Sequence, residues 1–481
     1  MQYILILFGW LTAVGIFQSN KPLPEGLNYR SEVYQVAEGD VEFLADLTYE
    51  DSTGNIVHDQ EIFDTIDYLV NNAKEYIHFD MFLFNSFKGP TNYAYRKLSP
   101  ELTTTLLSKK AANPNIKIDF ITDQINTFYG GYKAPELRML KDSGVNVIIT
   151  DLKKTRDNNY IYSPVWRTFI QWFGNTDEGG RFNNPMLENG DKVTLRSYLA
   201  FGNIKANHRK VLVVDSGEEM VSLITSHNAH SASSDFSNIG LMIKGDIWRD
   251  IIYSENAIAK FSGGKLQIDS ILVRNNSSIE NDLPYKVTFL TEQKINEELV
   301  STFKDLVTGD SLMVAAFYLS KRDIIKSILK ASRNGAQVRI ILDPNVHGFG
   351  YDKNGTPNKP VARELLRKSN GKIKLRWYKT HGEQFHTKFN FIKYRDGTSK
   401  AILGNSNLTK KNLGGFNMET EFVVEADSDT PLIREMHDYY EMIWNNDDGN
   451  TYTTEYNDLK DESFRKMLNY RINEIIGTAV Y

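Results

Sequence analysis

NHRKVLVVD, residues 207–215, and FHTKFNFIK, residues 385–393, carry the same short pattern, a histidine and a lysine separated by one residue. Each stretch is typical of a β-strand, in which successive side chains point to opposite faces. The histidine and lysine of one copy can therefore contact one ligand, so that a nucleophile and a cation meet one phosphoryl group. The four residues are His208, Lys210, His386 and Lys388.

Asparagines follow both histidines at matched positions. Asn228 in TSHN and Asn407 in GNSN lie at nearly equal distances after their histidines, and Asn238 and Asn417 follow at equal further distances. One histidine–x–lysine triplet is weak evidence, because such triplets occur by chance on ordinary surface strands. Two triplets with matching asparagines indicate a duplicated functional site.

The segments before the two triplets repeat as well. Three helix-like stretches alternate with three strand-like stretches in each half, beginning with 61–74 and with 295–306. Gly144, Gly335 and Gly371 stand where helices should end. Alternation of this kind predicts a largely parallel or mixed sheet covered by helices on both faces.

The predicted fold class is α/β, with two similar lobes related by pseudo-twofold symmetry. Each lobe is expected to contain a mixed, mostly parallel sheet flanked by helices, and an apolar helix is expected at the N-terminus. We place the lobes at 40–274 and 285–481, because the polar, turn-prone residues 274–284 separate them. The halves differ mainly by an insertion at about 155–200.

The insertion is uncommonly aromatic. Trp166, Phe169, Ile170 and Phe173 recur at helical spacing. This pattern predicts either a helix packed on the first lobe or a hydrophobic wall or membrane-interface helix beside the site, since tryptophan favours that boundary.

Composition limits the class of protein. The chain has 481 residues, of which 41% are hydrophobic and 24% charged, a balance that can fill two cores. Its formal net charge of -5 gives no global basic field, which makes nucleic acid an unlikely partner. The absence of cysteine excludes disulfides, thiolate zinc sites and cysteine nucleophiles.

An apolar run extends from Tyr3 to Phe17 without a charged residue. It is short for a full membrane span and has no clear small-residue cleavage site. Residues 1–20 are therefore expected to form an uncleaved membrane anchor, with a signal peptide or a buried helix as alternatives. Lys21 and Arg30 give only a weak hint about orientation, so the side of the membrane stays open.

The paired motifs resemble those of the phospholipase D superfamily, whose pattern is HxKxxxxD followed by GSxN. The first copy matches at His208, Lys210, Asp215, Thr225, Ser226 and Asn228, and the second at His386, Lys388, Gly404, Asn405, Ser406 and Asn407. The resemblance covers nearly all of the chain after about Gly39. Its length, single apolar N-terminal segment and first motif are most similar to the bacterial phospholipase and cardiolipin synthase branch.

Two departures from the family pattern concern residues around the motif. Lys393 stands where the second copy should have aspartate, and Asp396 is the nearest acid. In the family that aspartate mostly supports the fold, as Asp215 is expected to do in the first copy. Asn405 replaces the serine of GSxN in the second half, whereas Ser226 is present in the first.

A third departure concerns the acid that orients each histidine in the family. Glu419 fits this role in the second half, but Gly240 stands at that place in the first. Asp235 is the nearest substitute, and its reach to His208 is an open question at the level of sequence.

The residues suit transfer at a phosphodiester, whose negative charge must be neutralised during attack. Lys210 and Lys388 supply positive charge, and Asn228 and Asn407 supply amide donors for the substrate, with Ser226 beside them. One histidine attacks to form a covalent phosphohistidine and the other protonates the leaving oxygen, because imidazole can be neutral or charged near neutrality. The scheme needs no metal and no other cofactor.

The resemblance implies that His208 is the nucleophile and His386 the general acid, and the exchanged assignment stays open. Glu419 completes the predicted catalytic group.

Other polar residues are interpreted more plainly. His227 and His230 could suggest zinc but lack a third ligand nearby, and His381 is expected in a loop. Asp123 and Asp343 each close the second strand of their half and could line the same crevice. Helix caps or turn residues are the preferred interpretation for both.

The function expected is that of a membrane-associated phospholipase D-type phosphodiesterase or phosphatidyltransferase, cardiolipin synthase-like, acting on phospholipids with water or an alcohol as acceptor. A metal-independent nuclease and an inactive, membrane-tethered lipid-binding protein are the alternatives. We expect a bacterial cell-membrane protein with one N-terminal anchor, or else a secreted protein. Head-group preference and oligomeric state cannot be derived from the sequence.

Overall fold

The computed structural model describes residues 1–89, 91, 93–187, 190–217, 219–268 and 283–479. Most of the predicted lobe boundary, up to residue 282, lies outside these residues.

The helices, in chain order, are α1 (Gln2–Asn20), α2 (Ile62–Asn72), α3 (Leu98–Ala112), α4 (Pro135–Asp142), α5 (Tyr162–Val165), α6 (Leu195–Phe201), α7 (Trp248–Phe261), α8 (Gln293–Asp305), α9 (Arg322–Arg333), α10 (Asn358–Lys368), α11 (Lys410–Leu413), α12 (Pro431–Asn445) and α13 (Phe464–Ile476). The strands are β1 (Tyr34–Val36), β2 (Val41–Glu50), β3 (Ile56–Asp59), β4 (Tyr76–Met81), β5 (Phe84–Asn85), β6 (Lys117–Thr122), β7 (Asn146–Ile149), β8 (Lys210–Ser216), β9 (Glu219–Thr225), β10 (Ala229–His230), β11 (Asn238–Lys244), β12 (Tyr285–Thr291), β13 (Ser311–Ala316), β14 (Gln337–Leu342), β15 (His347–Gly348), β16 (Tyr351–Asp352), β17 (Lys374–Tyr378), β18 (Lys388–Lys393), β19 (Thr398–Gly404), β20 (Thr420–Asp427) and β21 (Thr453–Glu455).

Two large sheets show the duplication directly. The first has the order β3-β2-β11-β9-β8-β4-β6-β7, and the second β1-β12-β20-β19-β18-β13-β14-β17-β21. The run β2-β11-β9-β8-β4-β6-β7 corresponds strand for strand to β12-β20-β19-β18-β13-β14-β17. The α/β class and the arrangement of two similar lobes flanked by helices are confirmed.

Both sheets are mixed, but antiparallel pairs outnumber parallel pairs, contrary to the expectation of mostly parallel sheets. The parallel pairs are β4 with β6 and β6 with β7 in the first sheet, and β13 with β14 and β14 with β17 in the second. Helical crossovers return the chain in the same direction, whereas the motif strands β8 and β18 turn directly into β9 and β19. In these two sheets parallel pairing is therefore confined to β4, β6 and β7 in the first repeat and to β13, β14 and β17 in the second, which follow one another through helices.

The predicted helices bury one apolar face. Helix α2 buries Ile62, Phe63, Ile66, Leu69 and Val70 beneath the first sheet, and α9 buries Ile324, Ile325 and Ile328 in the second lobe. The three glycines predicted to end helices, Gly144, Gly335 and Gly371, all have positive φ, which glycine adopts without strain.

One hydrophobic cluster joins the lobes. It contains Phe43 and Ile239 from the first sheet, Phe389 and Phe422 from the second, and buried side chains of α7 and α12. Separate clusters lie under the outer helices of each lobe. The two sheets therefore face each other across a shared core, which fixes their relative position.

The N-terminal helix and the insertion lie together. Helix α1 has the length and apolar composition to cross a membrane. It packs on α5 of the insertion, and Trp10 Nε1 donates to Thr168 Oγ1 at 3.3 Å. Trp166 is buried, as a packed helix would require, but Phe169 and Phe173 are exposed.

Asp215 of the first motif holds the fold. Its carboxylate accepts the backbone N–H groups of Lys74, Glu75 and Tyr76 at 2.9, 2.9 and 2.7 Å, which fixes the turn entering β4. In the second lobe the corresponding carboxylate does not belong to the motif strand but to the turn that enters the neighbouring strand. Asp310, in the turn entering β13, accepts the N–H of Arg395 at 3.0 Å and of Val307 at 2.9 Å.

Asp310 thus supplies the carboxylate that is missing at the motif position, where the chain has Lys393. Asp396 does not replace it, because its carboxylate accepts hydrogen bonds from Thr398 within its own turn.

We expect Asp215→Ala and Asp310→Ala each to lower the free energy of unfolding by roughly 1.5–3 kcal/mol, because buried backbone donors lose a charged acceptor. Urea unfolding followed by circular dichroism measures the change. Asp396→Ala, at an exposed turn, is the matched control and should cost less. Equal, small effects for all three variants would contradict the structural role of Asp310.

Candidate active site

Each histidine is held by a backbone bridge from the opposite lobe. The N–H of His208 donates to Met418 O at 3.0 Å, and the N–H of His386 donates to Ser237 O at 2.8 Å. Return bonds run from Met418 N to Ala206 O and from Ser237 N to Gln384 O, both at 3.1 Å. The two motifs are therefore brought to the junction of the lobes by the same reciprocal contact.

A buried aspartate fixes the residue before each histidine. Asp123 accepts the N–H of Asn207 at 2.7 Å, and Asp343 accepts the N–H of Phe385 at 2.7 Å. Each carboxylate also caps its own turn, as expected from the sequence. Burial raises the pKa of both carboxyl groups to about 7.

The His208 ring is paired with a carboxylate. Its Nδ1 lies 2.8 Å from Glu419 Oε2, and Glu419 also accepts a short hydrogen bond from Asn412 Nδ2. Nδ1 therefore donates to the carboxylate, which leaves Nε2 with a free lone pair. Burial lowers the pKa of His208, and the nearby lysines lower it further, which favours the neutral form of the ring.

Glu419 is connected through Glu292 to Arg209 of the first lobe. Its N–H donates to Glu292 Oε1 at 3.3 Å, and the same Glu292 oxygen accepts from Arg209 at 2.6 Å. Arg209 is fully buried and also pairs with Glu255 at 3.0 Å. The side chain between the motif histidine and lysine thus faces away from the ligand, as strand geometry predicts, and supports the carboxylate.

The His386 ring has an amide partner. Its Nδ1 lies 3.1 Å from Asn238 Oδ1, which also accepts from Ser226 Oγ at 3.0 Å. The pairing is therefore crosswise, because Glu419 of the second half contacts the first histidine and Asn238 of the first half contacts the second. The expectation that Glu419 orients the histidine of its own half is wrong on this geometry.

The bridges also identify equivalent positions. Met418 corresponds to Ser237, so Glu419 corresponds to Asn238 and not to Gly240. Asp235 does not contact His208. Its carboxylate accepts a hydrogen bond from Ser234 Oγ, and its backbone carbonyl oxygen accepts one from Thr48 Oγ1. A neutral amide thus stands in the first half where the family pattern has an acid.

The motif lysines lie beside their histidines. Lys210 Nζ donates to His208 O at 2.7 Å and lies 5.0 Å from the centroid of the Phe82 ring. Lys388 Nζ donates to His386 O and lies 5.3 Å from the Phe317 ring. Burial lowers the pKa of Lys210 to about 7 and that of Lys388 well below its usual range, the latter also through Lys210. An anionic phosphoryl group would restore their charge.

Two of the motif asparagines lie at a cavity between the lobes. Asn228 and Asn407 line the cavity that holds both histidines. Asn407 Oδ1 has no hydrogen-bond partner among the described residues, and Asn228 Oδ1 accepts weakly from Leu83 N at 3.3 Å. Both side chains are available to a ligand.

Ser226 and Asn405 have an equivalent structural task. Ser226 Oγ accepts from Ile239 N at 3.0 Å, and Asn405 Oδ1 accepts from Thr420 N at 3.0 Å. Each therefore joins its turn to the neighbouring strand. Among the described residues, Ser226 does not line the cavity, and its hydroxyl instead donates to Asn238 Oδ1, the partner of His386.

The cavity has a volume of about 550 Å³ and opens between the lobes. Its floor holds His208, His386, Asn228 and Asn407. Its walls are largely aromatic and aliphatic, with the side chains of Phe82, Leu83, Phe87, Ile125, Phe201, Ile204, Phe236, Phe317 and Phe349.

Sequence reasoning missed three further lysines of the cavity, Lys205, Lys353 and Lys411, of which Lys205 pairs with Asp157 at 2.7 Å. Lys353 Nζ lies 5.8 Å from the Phe317 ring and donates to Tyr318 Oη at 3.2 Å. Lys411 makes no ion pair within 4.0 Å with any described residue, and burial lowers its pKa to about 8. The KK pair at 410–411, four residues after Asn407, was the only signal available in the sequence.

Of the other histidines, His230 lines the cavity, and each has a polar partner within the protein. His227 Nδ1 pairs with Asp46 at 2.7 Å, and His230 Nδ1 with Ser233 at 2.9 Å. His381 lies near Glu50 and Glu383. Within the described ranges, no three histidine, aspartate or glutamate side chains are grouped so as to hold a metal ion.

Comparison with known proteins gives one family match. Residues 307–444 match the family described as "Cardiolipin synthase, PLD-like domain". This match confirms the resemblance to the phospholipase D superfamily in the second lobe, where β13, β18 and both parts of the second motif lie. No curated protein matches the chain.

Solved structures are similar to this chain over different lengths. The phosphatidylserine synthase of Haemophilus influenzae is similar over 97% of this chain and 98% of its own, with 11% identity and a TM-score of 0.56. The polyphosphate kinase of Porphyromonas gingivalis covers 91% of this chain and 53% of its own, with 12% identity and a TM-score of 0.42. The phospholipase D family member Nuc of Salmonella typhimurium covers 36% of this chain and 98% of its own, with 19% identity and a TM-score of 0.27. At these identities the first likeness shows a common fold, and the two weaker ones carry no argument.

The amide partner of His386 generates a pH prediction. The general acid expected from the sequence, His386, must be protonated to act, but burial lowers its pKa well below the usual 6.5, and Asn238 brings no charge to oppose this. Asn238→Asp places a carboxylate on Nδ1, so we expect the alkaline limb of kcat/KM against pH to move upward by about 1–3 pH units.

Glu419→Gln is the matched comparison, because it removes a carboxylate from the other ring. It should lower turnover without moving that limb. An unchanged limb in Asn238→Asp, or one moved toward acid, would assign the proton donor elsewhere.

Proposed function

We propose that this phospholipase D-like chain is a phosphatidyltransferase or phospholipase acting on membrane phospholipids, with one active site built from both lobes. The observation that carries the proposal is the single cavity at the lobe junction. It combines the two histidines and two asparagines on its floor with apolar walls, and each motif lysine donates to the carbonyl oxygen of its own histidine. The cardiolipin synthase-like match of the second lobe supports the substrate class.

The reaction proceeds in two balanced steps. In the first, the His208 Nε2 lone pair attacks phosphorus, the bond from phosphorus to the leaving oxygen breaks, and His386 transfers its proton to that oxygen. In the second, His386 takes the proton of water or an alcohol, whose oxygen attacks phosphorus and releases His208. Both histidines thereby return to their starting states.

The geometry supports His208 as the nucleophile. A phosphohistidine ring is cationic, and Glu419 lies 2.8 Å from its Nδ1 to stabilise that charge. His386 has only the Asn238 carbonyl oxygen, so a permanent cation there would be less favourable. A transient proton donor tolerates a neutral partner better than a covalent cation does.

The cavity lysines support an anionic lipid. Lys210 and Lys388 can neutralise the reacting phosphodiester, while Asn228 and Asn407 donate to its nonbridging oxygens. Lys353 and Lys411 add cationic groups at the walls. The many apolar wall residues favour acyl chains over the sugar–phosphate backbone of a nucleic acid, which requires a polar, basic groove.

Helix α1 supports a site of action at the membrane, as a single N-terminal anchor. Its end is held by the protein, since Gln18 O accepts from Asp157 N at 3.1 Å and Lys21 O accepts from Arg156 Nε at 2.7 Å. An anchor fixed in this way keeps the cavity near its lipid substrate.

The function is tested by incubating the purified protein with phosphatidylglycerol or phosphatidylcholine vesicles in the presence of a chelator, and separating the lipid products. We expect metal-independent turnover: release of glycerol or choline reports hydrolysis, and a four-chain lipid reports transfer to an alcohol. Ser277→Ala, a change distant in sequence from both motifs, serves as the handling control.

Salt-sensitive cleavage of single-stranded DNA with no lipid turnover would overturn the proposal in favour of a nuclease. Vesicle binding without any turnover would indicate an inactive binding protein.

A further inference from the structure

Three separate parts of the chain present exposed apolar side chains. Helix α1 is exposed over almost its whole surface. In the insertion, Trp172 is 74% exposed and Phe173 69%. Helix α13 exposes Phe464, Leu468, Ile472 and Ile475, the last at 69%.

Helix α13 exposes an apolar face to solvent. Its exposed apolar residues 464, 468, 472 and 475 recur at intervals of three or four, so they form one stripe along the helix. The opposite side is tied to the protein through Tyr470, which is buried, and through Glu474, which accepts from Ser320 Oγ at 2.6 Å. A stripe of this kind on the outside of a folded domain requires a covering partner.

The three parts meet at one place, the start of the insertion. Gly15 of α1 approaches so closely that a Cβ there would lie 3.0 Å from Pro164 Cγ. The end of α13 contacts the same segment, since Tyr160 N donates to Ile476 O at 3.2 Å and Asn158 Nδ2 to Gly477 O at 3.0 Å. We call the exposed apolar side chains of α1, of residues 161–173 and of α13 the apolar face.

We propose that the apolar face is a bilayer-docking surface, on which the insertion and α13 enter the interfacial layer of the membrane beside α1. The argument for a lipid occupant is continuity with α1, because the 19 residues of this helix have the length and composition of a membrane segment. Trp10 and Trp172 are side chains of the kind that favour the boundary between lipid and water. Arg465, exposed on α13, adds a cation suited to anionic head groups, whereas Lys466 and Arg471 pair with Asp461 and Glu364 of the protein.

The docking surface brings lipid to the proposed active site, and this part of the inference rests on the proposed function. Pro185 and Met186 of the insertion line the catalytic cavity, and Phe201 and Ile204 just after it do the same. The segment that enters the bilayer is therefore continuous with the cavity wall. A phospholipid could pass from the membrane into the cavity along this wall without crossing water.

The absence of cysteine allows a direct test on the full chain. Single variants Trp172→Cys, Ile475→Cys and Met139→Cys each carry one thiol, labelled with an environment-sensitive fluorophore. Met139 is the matched control, an apolar side chain 50% exposed on α4 of the first lobe. Vesicles contain phosphatidylglycerol, phosphatidylcholine and phosphatidylcholine bearing a nitroxide on its acyl chain.

Labels at positions 172 and 475 should be quenched by the nitroxide lipid on vesicle addition, and the label at 139 should not. If α1 alone holds the membrane, all three labels remain unquenched, which overturns the proposal. If a second copy of the chain covers the face, the fluorescence of 172 and 475 changes with protein concentration but not with the nitroxide, which also overturns it.

The readout needs no turnover, so it is separate from failure of the proposed chemistry. In addition, Trp172→Ser with Ile475→Ser should lower kcat/KM on vesicles by about tenfold or more, because two apolar side chains no longer enter lipid. Hydrolysis of a water-soluble phosphodiester should be unchanged. Equal losses on both substrates would indicate a folding defect rather than docking.

Discussion

The reciprocal backbone bridges between the lobes are the constraint on which the rest of the site depends. His208 N donates to Met418 O, and His386 N donates to Ser237 O. The chain just before β8 therefore lies beside the chain just before β20, and the chain just before β18 lies beside the chain just before β11. The same contact places Glu419 beside the first histidine and Asn238 beside the second. Because neither lobe alone supplies both a histidine and its partner, the site exists only in the assembled pair, and the shared core of the two sheets holds that pair together.

Electrostatics then makes the duplicated halves unequal. One ring faces a carboxylate and the other an amide, although the strands around them superimpose in order. In the mechanism that we propose, the first ring carries the covalent cation and the second holds a proton only briefly. The two halves thus differ in the residues that contact the rings, whereas both have the histidine, the lysine and the cavity asparagine.

Much of this could be predicted from the sequence, for local reasons. The spacing of histidine and lysine follows from the two-residue period of a strand, and the alternation of helices and strands gave the order of the first three strands in each repeat. The motif positions of Asp215 and Lys393 could be compared directly in the sequence. That Asp310 replaces the missing motif aspartate could not be predicted, because Asp310 lies in the turn entering β13 and not on the motif strand β18. Local patterns show which residues are available, not which backbone groups they will meet.

The crosswise partners could not be predicted for the same reason. The stretch between Asn407 and Glu419 is two residues longer than that between Asn228 and Asn238, so counting along the chain aligned Glu419 with Gly240. Only the bridges from Asn207 to Met418 and from Ser237 to Phe385 reveal the true equivalence. The proportion of parallel strands was overestimated because the hairpin after each motif strand carries no helix to signal it in advance.

Convergence of both histidines on one phosphorus is tested most directly by comparing turnover of a phosphodiester by His208→Ala, His386→Ala and the double variant. If the two rings act as one unit, each single change lowers kcat by orders of magnitude and the double variant is scarcely worse than the singles. If the lobes carry independent sites, each single variant keeps about half of the activity and only the double variant loses it. That second result would contradict a single site between the lobes.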